Sequence, residues 1–82
     1  MPTFRVRLFA AHREAAGRAT VDLDLPDGAT VGDLRAALAA QVPAIGASRL
    51  TTVVAVDGEF CDDRAPLKEG ADAAVFPPVA GG

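Results

Sequence analysis

The chain is poor in the side chains from which enzymes build catalytic centres. Cys61 is its only cysteine, so no internal disulfide can form and nothing points to an oxidising compartment. His12 is the sole histidine, and with one thiol beside it the ligand set is too small for a zinc site. A Ser-His-Asp arrangement could draw only on Ser48 with His12, and neither stands in a nucleophile context. The glycines fall at turns, without the GxGxxG or P-loop spacing that cradles phosphate. No apolar run approaches the ~20 residues of a membrane-spanning helix. The stretch Leu8 to Ala11 that follows Arg5 and Arg7 is too short for a signal-peptide core. Eight basic residues face eleven acidic ones, a net charge of −3 that opposes nucleic-acid binding. The expectation is a soluble, cytoplasmic protein with no metal, no nucleic acid and no membrane among its partners.

What is present suits one small ordered domain: 82 residues, half apolar and 23% charged. Phe4, Val6 and Leu8 alternate with Arg5, Arg7 and Phe9, which predicts a half-buried strand with Phe4 in the core. Ala11 to Gly17 predicts a helical turn closed by Gly17, with His12 on its surface. Val21, Leu23 and Leu25 alternate with Asp22 and Asp24, a second strand that ends at the turn Pro26-Asp27-Gly28. Thr30 can cap a helix, with Asp33 near its positive end. Val31, Leu34, Leu38 and Val42 form its apolar stripe, and Pro43 marks its end. Ala44 to Leu50 predicts a connector with a further short turn. Thr52 to Val56 predicts a central strand, and Asp57-Gly58 a hairpin turn into Glu59-Phe60-Cys61. Lys68-Glu69-Gly70 turns into a last strand, Asp72 to Phe76. This order predicts the α+β class, one mixed sheet with one main helix packed across it over residues 1–77. Residues 78–82 form an extended tail.

The four phenylalanines divide by strand parity. Phe9 falls opposite Phe4, among Arg5 and Arg7. Phe76 shares parity with Asp72 and Ala74, and Phe60 comes after the hairpin turn near a sheet end. Three rings outside the core, beside the exit of the tail, read as a docking patch. The competing expectation is that one or two of them cover a secondary core under the connector. Cys61 reads as a strand-end thiol of ordinary character. The pairs Asp22 with Asp24 and Asp62 with Asp63 read as solvated surface.

The tail carries the strongest local signal. Pro77 and Pro78 fix φ and offer no N–H, so they end a sheet ladder and stiffen the exit of the tail. Gly81-Gly82 would present a carboxylate with no side chain near it, open to attack at its carbonyl inside a narrow channel. At ~3.3 Å per residue, Pro78 to Gly82 would reach roughly 16 Å into a partner.

Arg7-Leu8-Phe9-Ala10, Arg13-Glu14 before Gly17, and above all Phe76-Pro77-Pro78-Val79-Ala80-Gly81-Gly82 resemble the sulfur-carrier (small) subunits of molybdopterin synthase. The likeness runs over nearly the whole chain. It implies the ubiquitin-like β-grasp fold, with no stably bound cofactor. It also implies that an E1-like adenylyltransferase, using ATP and magnesium, adenylates the carboxylate of Gly82. Sulfur from a sulfurtransferase or cysteine desulfurase then replaces AMP to leave a thiocarboxylate. Pro77, Pro78, Val79, Ala80 and Gly81 would carry that group into the synthase large subunit, within a heterotetramer, where sulfur passes to cyclic pyranopterin monophosphate. The family's interface further implies partner binding at Phe9, Phe60, Phe76 and Arg13.

Elementary chemistry agrees with such a cycle. A terminal carboxyl is anionic at neutral pH and a poor electrophile. Adenylation removes that charge and supplies a leaving group, and the resulting thiocarboxylate holds its charge largely on a soft sulfur. The partners supply the acids and bases, which accounts for a carrier with so few of its own. Two other readings share the diglycine end. One is a thiamine-pathway sulfur carrier, whose chains are shorter and lack Phe-Pro-Pro. The other is a ubiquitin-like modifier joined to lysines through Gly82.

Overall fold

A computed structural model describes residues 2–47 and 52–77; Ser48 and the tail residues 78–82 lie outside the described residues. The elements run β1 (Thr3–Leu8), α1 (Ala10–Ala16), β2 (Thr20–Asp24), α2 (Val31–Gln41), α3 (Pro43–Ala47), β3 (Val53–Val56), β4 (Glu59–Phe60) and β5 (Ala73–Phe76). The strands form one mixed sheet in the order β2-β1-β5-β3-β4, with β1 and β5 parallel and the other pairs antiparallel. The middle position belongs to β5, where the sequence had suggested β3. Burial gives the reason: Ala73 and Val75 on one face and Ala74 on the other are all buried. Such a strand shows no alternation from which its position could be read.

The inward residues Phe4, Val6 and Leu8 of β1 join Val21 and Leu23 of β2, Val54 of β3 and Val75 of β5 in one core. Val31, Leu34 and Leu38 of α2 close it from the other side, and Val42 continues the stripe half-buried. Burying each such side chain is worth about 1.5–3 kcal/mol. The start of α2 is fully tied. The Thr30 N–H donates to the Asp33 carboxylate at 2.9 Å, and the Asp33 N–H donates to Thr30 Oγ1 at 3.3 Å. The next two N–H groups, of Val31 and Gly32, donate to the carbonyls of Ala65 and Asp63 at 2.9 and 3.0 Å. Gly32 permits this approach, because a Cβ there would lie 3.2 Å from both Cβ and O of Asp63. At the far end the Gln41 side chain donates to the Asp22 carbonyl on β2 at 2.9 Å. Pro43, missing an N–H, then opens α3, the short turn expected in the connector.

His12 departs from its expected surface position and is fully buried. The inward neighbours on α1 are the half-buried Ala15 and Ala16, whose small size lets the helix lie close to α3 and β5. The imidazole then supplies the bulk that alanines lack. Its Nε2 lies 2.8 Å from Thr52 Oγ1, while Nδ1 has no partner among the described residues. Burial holds its pKa below the usual histidine value, because the charged ring would lose its water. The Arg35 guanidinium donates to the Thr52 carbonyl and to Asp63 Oδ1, the latter at 2.9 Å, so one arginine joins α2, the entry to β3 and the loop over the helix start.

Candidate functional site

The outer face of the sheet is where the three remaining rings meet. In register, Phe76 of β5 lies opposite Val53, while Ala55 of β3 lies opposite both Ala74 and Phe60. The β3–β4 hairpin turns through Asp57 (φ 52°) and Gly58 (φ 84°), a pair of left-handed residues that matches strand twist and delivers Phe60 to this face. Phe9 prolongs β1 by donating its N–H to the Val75 carbonyl at 3.2 Å, and Ala10 (φ 52°) then turns the chain into α1. The Phe9 and Phe76 ring centroids are 6.3 Å apart at 77°, and those of Phe60 and Phe76 are 5.7 Å apart at 62°. Both pairs are edge-to-face, each worth about 0.5–1.5 kcal/mol. Phe60 is 72% exposed and Phe9 43%, with half-buried Phe76 between them.

A charged flank borders this strip. The Arg7 guanidinium stands 5.8 Å from the centroid of Phe9 and also pairs with Asp72 at 2.8 Å. Arg5 pairs with Asp22 at 3.3 Å one step further from the rings. Both pairs are exposed and add little stability. Pro77 comes directly after Phe76, half-buried, so the expected tail begins where the ring strip ends. Among the described residues no group of three His, Cys, Asp or Glu side chains could hold a metal ion. Among the described residues the arrangement is an exposed apolar strip that ends beside Pro77.

A model of the ThiS family matches residues 6–82. The chain belongs to the ThiS family. It is 38% identical over 80 residues to the molybdopterin synthase sulfur carrier subunit of Chlamydomonas reinhardtii, covering 95% of this chain and 96% of that one. It is also 38% identical over 88 residues to small archaeal modifier protein 1 of Haloferax volcanii, covering 93% and 97%. The crystal structure of that modifier superposes with a TM-score of 0.87 at 31% identity, over 96% of this chain and 100% of the other. The chain in a complex of subunits 1 and 2 of molybdopterin-converting factor from Helicobacter pylori shares the fold, with a TM-score of 0.67 at 22% identity over 98% and 99%. The resemblance read from the sequence and the β-grasp fold it implied both hold.

Within this ThiS-family chain the site residues separate into three groups. Phe9, Phe60 and Phe76 come together. Arg13 lies one helical turn on from Phe9, its N–H donating to the Phe9 carbonyl at 3.5 Å, and its exposed side chain lines a cleft with Ala10, Glu14, Gly17 and Arg18. Pro78, Val79, Ala80, Gly81 and Gly82 lie outside the described residues. Sequence reasoning put Arg7 only on the same strand face as Phe9; its place over the Phe9 ring was signalled by that two-residue spacing. It also left Ala74 without a part. Ala74 faces outward yet is only 6% exposed, between Arg7 and Ala55 in register, and its small side chain leaves room for the rings. Cys61 is half-buried against the core, with Sγ 3.4 Å from the Glu59 carbonyl.

Proposed function

We propose that this chain is a cytoplasmic sulfur carrier of molybdopterin synthesis, loaded as a thiocarboxylate on Gly82. The observation that carries the reading is the exposed Phe9-Phe76-Phe60 strip, whose central residue leads at once into the Pro-Pro-Val-Ala-Gly-Gly segment. A partner seated on the rings would find that segment aimed from a fixed point. An E1-like enzyme consumes ATP with magnesium to adenylate the Gly82 carboxylate, and a sulfurtransferase or cysteine desulfurase supplies the sulfur. The same strip then seats the chain on a synthase large subunit, which receives the sulfur for cyclic pyranopterin monophosphate. One surface serves both partners in turn, since the same tail must enter each from the same side. The relation to the Chlamydomonas carrier subunit supports this reading.

The test is the intact mass of the protein isolated from its own cells. A species in which one terminal oxygen is replaced by sulfur is expected; its absence from cells actively making the cofactor would reject the reading. A second function is favoured by the equal identity to the Haloferax modifier: attachment of Gly82 to lysines of other proteins. Isopeptide-linked adducts in extracts of the same cells would report that activity directly.

A further inference from the structure

The chain carries eight basic residues, and only one of them, Lys68, is a lysine. Arginine keeps its proton and is not acylated under ordinary conditions, whereas a lysine amine is the usual target of acyl donors. A chain activated at its terminal carboxyl is itself an acyl donor, so the position of this one amine matters. Lys68 is exposed, and among the described residues no carboxylate lies within 4.0 Å of its ammonium. Its backbone is held firmly. The Leu67 N–H donates to the Ala29 carbonyl at 2.9 Å, Leu67 is buried, and the Lys68 carbonyl accepts from the Ala71 N–H at 3.0 Å. The side chain therefore projects from a pinned turn that leads into β5. Val56, Asp57 and Ala71 line the same cleft as Lys68, and Val56 pairs with Ala73 at the start of β5. Phe76 and Pro77 stand at the other end of that strand, about 13 Å away at ~3.3 Å per residue.

We infer that Lys68 is the side-chain amine at which a second copy of this chain, activated at its terminal carboxyl, attaches through an isopeptide bond. The inference rests on the activation of Gly82 proposed above. The Lys68 amine, after losing a proton to water, attacks the carbonyl carbon of the second copy's Gly82 adenylate. The C–N bond forms, the bond from carbon to the phosphate oxygen breaks, AMP leaves, and the nitrogen releases its remaining extra proton. Attachment at the far end of β5 leaves the acceptor's ring strip and tail free.

The test combines the chain with an E1-like adenylyltransferase from the same cells, ATP and magnesium, and omits the sulfur donor. ATP–pyrophosphate exchange, which reports adenylation, and covalent dimer are measured for the native chain and for Lys68→Arg. The expected result is a dimer from the native chain whose branch maps to Lys68, and a loss of at least tenfold in dimer from Lys68→Arg at unchanged ATP–pyrophosphate exchange. Undiminished dimer from Lys68→Arg would overturn the inference, as would adenylate formation without native dimer. A monomer lighter by one water would also overturn it, because the attack would then be internal. No pyrophosphate exchange with either chain would instead sink the activation reading, and the inference with it.

Discussion

Acidification from pH 7 to 5.5 should weaken this fold through one group. The chain has a single histidine, and its carboxylates have unfolded pKa values of about 3.9–4.3, so His12 dominates titration in that window. Buried with Nε2 on Thr52 and no partner on Nδ1 among the described residues, the ring takes its proton at lower pH in the folded chain than in the unfolded chain, where it charges near pH 6.5. Below pH 6.5 the unfolded state binds more protons, so stability falls as pH falls, until the pH reaches the lowered pKa of the folded ring. The loss between pH 7 and 5.5 is at most about 1.3 kcal/mol, the limit reached by a ring that remains neutral throughout. That is a tenth to a third of the ~4–12 kcal/mol expected for a domain of this size. A urea midpoint should drop by up to about 1 M. The chain has neither tryptophan nor tyrosine, so far-UV circular dichroism is the suitable probe. His12→Gln should show a nearly flat response over the same window, whatever its own stability. Equal slopes for the two proteins, or a flat native response, would refute the argument.

Phe60→Ala should lower thermal stability by no more than about 1.5 kcal/mol, the upper worth of its edge-to-face contact with Phe76, because the ring is otherwise largely exposed, while weakening binding to the large subunit. Phe76→Ala should cost about 2–4 kcal/mol of binding, roughly a 30- to 700-fold change in Kd, beside a smaller fall in melting temperature. Unchanged affinity with a large loss of stability would reject the ring strip as a docking surface. Deleting Gly82, or adding one residue after it, should abolish sulfur loading and leave the thermal melt unchanged; normal loading of the truncated chain would move the chemistry elsewhere. Cys61→Ser should load at close to the native rate, and complete loss would give the thiol a part in sulfur transfer.

Local patterns carried most of the elements. The capping residues Thr30 and Asp33, the αL glycine at Gly17 and the Asp57-Gly58 turn each solve a backbone problem within a few residues, so their chemistry is visible in the sequence. Strand order is different, since it depends on which distant faces meet; Ala73 to Val75 shows no alternation in burial because the small outward Ala74 is screened by its neighbours. His12 was illegible for a related reason. A polar residue in an alanine-rich turn looks solvated until α3 and Thr52 enclose it. Parity alone sent Phe9 and Phe76 to one face, but their edge-to-face contact and the lodging of Arg7 above Phe9 depend on the pairing of β1 with β5.

That pairing also governs when the chain can fold. Residues 3–8 must wait for residues 73–76, since among the described residues β5 alone joins the β2-β1 and β3-β4 halves of the sheet. Closing so long a loop makes folding slow for a domain of this size, and it cannot finish until the last strand has been synthesised. A chain cut before Ala73 would split the sheet in two and take Ala73 and Val75 out of the core, leaving it prey to proteases. A chain cut after Pro77 would keep every described strand, together with the ring strip, and would persist as a competitor for the surfaces that intact copies use.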